Sequence, residues 1–150
     1  MGKTQEKYLR TGEEIYSGRL RHYLPIAIEV LPDIRQAGKF PPDRLRELEG
    51  ERILGQVQSD DRLILLDEGG EMFSSTALAT WVERELQRPA RRLVFVVGGA
   101  FGFSPAVYAR ANGKLSLSPM TFSHQMVRLF FLEQLYRAMT ILRNEKYHNA

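Results

Sequence analysis

Cysteine is absent from all 150 residues. That excludes a disulfide framework and any zinc site built on thiolates, and it fits a chain that folds in the reducing cytoplasm. Also missing is an apolar run of the ~18 residues that a bilayer span needs, and Met1–Arg10 is too polar for a secretory leader. Repeats, low-complexity tracts and a domain-dividing linker are absent as well. The chain therefore reads as one soluble domain over residues 1–150, large enough to bury about two-thirds of its unfolded surface without covalent staples. Positive charge is only slightly in excess: 21 Lys and Arg stand against 18 Asp and Glu, for a net charge of +3. Clusters at Arg19/Arg21 and Arg88/Arg91/Arg92 permit a nucleic-acid partner without demanding one, because most basic clusters are solvated faces.

Hydrophobic periodicity organises what is there. Lys3–Leu20 carries apolar residues at helical spacing, with Gly12 as a possible interruption. Ile26–Leu31, bounded by Pro25 and Pro32, reads as a short strand. Pro41-Pro42-Asp43 opens a second helix. Leu63–Leu66 is a continuous apolar run, as expected for a strand covered on both faces, and ends at Asp67-Glu68-Gly69-Gly70. Ser74-Ser75 caps a helix over Thr76–Leu86, and Leu93–Val97 is the next buried strand. Strands alternating with helices predict an α/β domain with a mainly parallel sheet, helices on both faces, and ligands outside the carboxyl ends of the strands.

Unusual residues concentrate in Gly98–Gln134. Gly98, Gly99 and Gly102 directly follow a strand, which marks a turn where backbone comes close to something. Such turns are more often plain tight turns than cofactor sites, and the spacing is not the dinucleotide fingerprint. Ser104-Pro105 starts a helix. Leu115–Leu117 is a short strand, followed by a Ser-Pro turn in which Thr121 and Ser123 compete as N-caps.

The last helix, roughly Ser123–Arg143, is apolar around most of its circumference, with Glu133, Arg137 and Thr140 as a narrow polar edge. An ordinary surface helix needs an apolar stripe of only ~100°. The surplus favours one face on the sheet and the other on a second subunit across a twofold axis; the alternative is a core helix buried within a single chain. One stripe is Leu129, Leu132, Tyr136 and Met139; the other is Val127, Phe131, Leu135, Ala138 and Leu142.

A family resemblance rests on long motifs. These are Leu66-Asp67 with Gly69, Phe73-Ser74-Ser75, Val96-Val97-Gly98-Gly99-Ala100 with Gly102 and Ser104, the run Leu115–Gln125 with Arg128, Glu133–Ala138, and terminal Tyr147-His148. Together they resemble the ribosomal large-subunit RNA methyltransferase H family over nearly the whole chain. The resemblance implies a SPOUT-type α/β fold with a C-terminal trefoil knot, and a cytoplasmic homodimer that binds S-adenosyl-L-methionine. It implies methylation of N3 of a pseudouridine in 23S rRNA of the assembled 70S ribosome, without metal or membrane. Carried over by position, the cofactor contacts are Leu66, Gly98, Gly99, Leu117, Ser118, Pro119, Met120, Thr121 and Phe122. Two departures stand out. The hydrophobic strand that family members carry ahead of Gly-Lys-Thr has no counterpart before Gly2-Lys3-Thr4, and the tail has Asn144-Glu145 and Asn149 where glycine and a basic residue are common.

The chemistry fits these residue types. A sulfonium cofactor brings its own electrophile and leaving group, so the protein mainly aligns the methyl with the attacking nitrogen. That ring N–H must also lose a proton, which calls for a base or for a positive group that stabilises the anion. Tyr147, His148 and Arg128 are the catalytic candidates. His124 reads better as an orienting residue within the turn. An alternative reading is a non-catalytic ribosome- or RNA-binding protein that retains the fold. A nucleotide-dependent enzyme of ordinary doubly wound topology is disfavoured, since no acidic residue lies ~20 positions beyond a correct glycine fingerprint.

Overall fold

The computed structural model describes residues Met1–Asn149, so Ala150 of the expected 1–150 domain lies outside the described residues. In chain order the elements are α1 (Lys7–Leu20), α2 (Pro42–Gln56), β1 (Arg62–Met72), α3 (Ser75–Gln87), β2 (Leu93–Val97), α4 (Pro105–Arg110), β3 (Gly113–Ser116) and α5 (Met126–Leu142). They fall into two compact units. The first takes Met1–Lys3, Glu29–Glu71 and Ala90–His124; the second takes Thr4–Ile28, Met72–Pro89 and the chain from Gln125 on. Among the described residues no helix is long and apolar enough to cross a membrane.

The first unit holds a three-stranded sheet in the order β2-β1-β3. β1 and β2 run parallel, in a register that pairs Arg62 with Leu93 and Leu66 with Val97. β3 follows the same direction: the Asn112 amide donates to the Leu63 carbonyl at 2.7 Å, and further on Gly70 lies against the Leu115 backbone. The α/β class with a mainly parallel sheet read from the sequence is the one observed, with all three strands parallel. Leu63 and Leu65 pack with Ile53 of α2, Phe103 and Val107 of α4. Ile64, on the opposite face of the strand, is just as fully buried, so both faces of β1 are covered. Burying each such side chain contributes about 1.5–3 kcal/mol.

A charged clamp closes the start of β1. Asp61 is buried and accepts from Arg92 Nη2 at 2.6 Å, Arg92 Nε at 3.0 Å, Arg91 Nε at 3.3 Å and the Gln58 amide at 2.8 Å. The Arg92 bonds outweigh the burial penalty and hold the Asp61 carboxyl well below the usual carboxylate range. The Arg91/Arg92 cluster is thus largely committed to this chain's own carboxylates. Arg88, in the second unit, pairs with Glu85 at 3.1 Å.

Three strand expectations need correction. Ile26–Leu31 is not a strand. Ile28 and Val30 are each about half exposed (51% and 50%), and extended backbone without a neighbouring ladder does not become sheet. β2 is only half-buried along its length, because it lies at a sheet edge with a neighbour on one side. β1, in turn, runs on through Asp67–Gly70, which had read as its end. Gly70 permits this: a Cβ there would come within 2.6 Å of the Leu115 carbonyl carbon, so only glycine admits so close a backbone approach.

In the second unit α5 packs against both α1 and α3. Gly12 does not interrupt α1; it is the contact point, since a Cβ there would stand 2.8 Å from Leu129 Cδ1. Ser74 Oγ accepts from the Ala77 amide and starts α3, as its sequence implied. Leu132 and Met139 of one α5 stripe are buried, and so are Phe131, Leu135 and Ala138 of the other. Neither stripe is left bare, because α1 and α3 absorb much of the surplus that had called for a sheet and a partner. Thr140, read as polar edge, is fully buried and donates to the Arg137 carbonyl at 2.7 Å.

Candidate active site

In the first unit the parallel register sets two of the cofactor candidate segments side by side. Leu66 pairs with Val97, the last residue of β2, so Gly98-Gly99 leave β2 beside Leu66-Asp67 within β1, and Leu117 follows the end of β3. Leu66, Leu117, Ser118 and Phe122 are half-buried, while Pro119, Met120 and Thr121 are exposed. Strand carboxyl ends of this kind are where open α/β sheets hold ligands.

The glycine turn closes on itself. Gly99 and Gly102 form an antiparallel bridge, and Gly102 has a φ of 78°, a left-handed conformation that favours glycine. A Cβ on Gly98 would meet the Phe103 ring at 3.0 Å, and one on Gly99 would meet both Glu49 carboxylate oxygens at 2.7 Å. Close approach was the right reading of these glycines, but the approaching atoms belong to the protein. Ser104 caps α4, accepting from the Val107 amide at 3.4 Å. Asp67, within β1, accepts from the Gly69 amide at 2.8 Å and from the Tyr108 hydroxyl. Burial and that carboxylate push Tyr108 up to about 12.

The stretch after β3 braces itself through serines. Ser116 Oγ donates to the Ser118 carbonyl at 3.0 Å, and Ser118 Oγ accepts from the Met120 amide at 3.0 Å. Neither Thr121 nor Ser123 caps the last helix, which starts only at Met126 with Gln125 as N-cap. In the second unit the Gln125 side chain instead accepts from the Gln5 amide at 2.9 Å.

That unit also contains the catalytic candidates. Asn144, with a φ of 55°, ends α5 in a left-handed cap, and the Glu145 amide returns to the Thr140 carbonyl at 2.9 Å. The tail is then held by side chains. Tyr147 donates to Glu133 Oε1 at 3.0 Å, lies 3.3 Å from the Tyr16 hydroxyl, and stacks edge-on against Tyr136 at 4.7 Å between ring centroids. Burial, then the Tyr16 and Glu133 hydrogen bonds, push the Tyr147 phenol above its ordinary value, so it remains a donor. Arg137 Nη2 pairs with Glu133 Oε1 at 2.6 Å, while its Nη1 lies 3.2 Å from His148 Nδ1. A guanidinium only donates. Nδ1 must accept, and the neutral ring carries its proton on Nε2.

Arg128 is brought elsewhere. Its Nη1 donates at 3.1 Å to Thr4 Oγ1, which itself donates to Glu13 at 2.7 Å. Reading the residues one by one did not single out Glu133 and Arg137 as the tail's anchors or Glu49 as the filler behind Gly99. The first two carried a signal: a charge pair four residues apart on an otherwise apolar helix.

Comparison with known proteins gives the family. A family model described as a predicted SPOUT methyltransferase matches residues 1–148. Curated relatives called ribosomal RNA large subunit methyltransferase H include one from Christiangramia forsetii at 49% identity, one from Parabacteroides distasonis at 50% and one from Flavobacterium johnsoniae at 48%. Each aligns over 149 residues, covering 99% of this chain and 95% of the relative. The same motif-bearing segments that build the strand ends and the anchored tail lie within these alignments, and the chain belongs to the SPOUT methyltransferases, in the family of the ribosomal RNA large subunit methyltransferase H proteins.

Proposed function

We propose that this protein transfers a methyl group from S-adenosyl-L-methionine to N3 of a pseudouridine in 23S rRNA of the assembled 70S ribosome. The observation that carries this reading is the pairing of Leu66 with the β2 residue just before Gly98-Gly99, on a parallel sheet whose third strand leads into Leu117–Phe122, in a chain so similar to methyltransferases that act on large-subunit rRNA. The donor set fits the cofactor: half-buried leucines offer apolar surface to an adenine, and serine-braced backbone offers short-range hydrogen bonds to a ribose.

When bound, the sulfonium cofactor supplies the methyl group and a neutral thioether leaving group. The chain's residues position and polarise. Leu66, Gly98, Gly99, Leu117, Ser118, Pro119, Met120, Thr121 and Phe122 hold the cofactor. His148, with its proton on Nε2, donates to a carbonyl oxygen beside the reacting nitrogen and stabilises the charge left when the N3 proton departs. Tyr147, kept protonated, offers its ring and hydroxyl to the base. Arg128 contributes positive charge at the start of α5. The protein acts as a homodimer, with the partly exposed Met126 and Phe130 on its contact face, and its C-terminal segment follows the knotted path of the family.

The test is methyl transfer from labelled cofactor to purified 70S ribosomes and to protein-free 23S rRNA. Label in the ribosomal sample alone is the expected result. Cofactor binding without transfer to either would favour an RNA-binding protein that retains the fold.

A further inference from the structure

We infer that Glu49 forms a carboxylate wall of the methyl-donor pocket and favours the cationic donor over the product left after methyl transfer. This rests on the cofactor reading above. Glu49 lies on the face of α2 that packs against the glycine turn. Its neighbour Gly50 would bring a Cβ within 2.4 Å of Ser104 Oγ, and one turn further on Ile53 belongs to the core with Phe103 and Val107. Both carboxylate oxygens of Glu49 occupy the place of a side chain on Gly99. The carboxylate is thus pressed against the backbone that carries the cofactor candidates, instead of projecting into solvent.

A carboxylate in such a place normally accepts two or more hydrogen bonds or pairs with a cation. Asp61 in the same unit does so, with Arg92, Arg91 and the Gln58 amide. Glu49 takes part in none of the hydrogen bonds or ion pairs seen among the described residues. Burial pushes its carboxyl upward, Asp33 adds to this, and the Met1 amino group only partly offsets it. A half-buried anion that no hydrogen bond satisfies and that the Met1 amino group offsets only in part, beside the glycine turn, is matched by a ligand that brings positive charge. The methyl donor does: its sulfur is a cation until the methyl leaves and neutral afterwards, while the rest of the molecule is unchanged. Attraction to a nearby carboxylate is therefore present for donor and absent for product at that one atom. The device would load the donor and help release the product.

The test is titration calorimetry of wild-type protein, Glu49→Gln and Glu49→Ala with S-adenosyl-L-methionine and, separately, S-adenosyl-L-homocysteine, beside melting curves. Gln keeps the shape and removes the charge. Both variants should lose about 10-fold in affinity for the donor while product affinity stays within about 2-fold, a difference set by one unscreened charge interaction. Wild type that binds both ligands, with variants that lose neither or lose both equally, overturns the role of Glu49 and leaves the cofactor reading standing. Wild type that binds neither ligand overturns the cofactor reading, and this inference with it.

Discussion

His148 Nδ1 lies 3.2 Å from Arg137 Nη1, and because the guanidinium has only protons to give, Nδ1 is the acceptor in that contact. Nε2 is left as the donor, and the proposed role of His148 is therefore to stabilise an anion. His148→Ala should lower methyl transfer by about 10²-fold, with cofactor affinity and melting temperature nearly unchanged. His148→Gln, whose amide N–H can stand in for Nε2–H, should keep a substantial part of the activity. Gln as inactive as Ala in single-turnover assays would instead assign His148 as the base.

Asp61 should matter for stability and not for turnover. Asp61→Asn removes the charge from a buried carboxylate bridged by Arg92 at 2.6 Å. Because Arg92 remains partly exposed and can rehydrate, the expected cost is about 2 kcal/mol at pH 7. The folded value is depressed, so this stabilisation is present above the unfolded value near 3.9 and fades as pH falls through the folded one. Denaturant melts should therefore show a larger gap between wild type and variant at pH 7 than at pH 3.

Two glycines make opposite predictions. Gly70→Ala sets a Cβ 2.6 Å from β3 backbone and should destabilise by about 2 kcal/mol or more, since a strand must move. Gly18 lies within α1 with nothing within 4 Å of its Cβ position. Gly18→Ala should stabilise by about 0.5–1 kcal/mol. Thermal melts of the two variants separate the effects.

Association should depend on the first turns of α5. Met126 and Phe130 are 37% and 39% exposed and stand four residues apart on one helix face. Phe130→Asp should turn a dimer into a monomer in sedimentation at micromolar concentration with little change in melting of the monomer. A wild-type monomer at that concentration contradicts the dimer.

Much of the fold was legible because it is written locally. Ser74 and Ser104 cap the helices that their sequences announce, and Pro42 opens α2 at its first position. Leu63–Leu65 form the buried strand that a continuous apolar run implies. What failed depended on neighbours. Ile26–Leu31 has strand composition, but composition supplies no ladder partner. Gly12 has the signature of a helix break, and only the arrival of Leu129 shows it to be a crossing point. The site was half legible for the same reason. Gly98 and Gly99 signal close approach, yet nothing in the sequence identifies Phe103 and Glu49 as what approaches. Tyr147-His148 follow an apolar helix like a loose end, and it takes Glu133 and Arg137, a turn or more back along α5, to hold them.

Nucleoside mass spectrometry of 23S rRNA reads out the proposed methylation itself. Ribosomes from a strain lacking this modification would be incubated with the protein and S-adenosyl-L-methionine, and the 23S rRNA digested to nucleosides. N3-methylpseudouridine should appear in near-stoichiometric yield with wild type and fall about 10²-fold with His148→Ala. Wild-type protein that binds the cofactor but yields no methylated pseudouridine in 23S rRNA would contradict the proposed methylation.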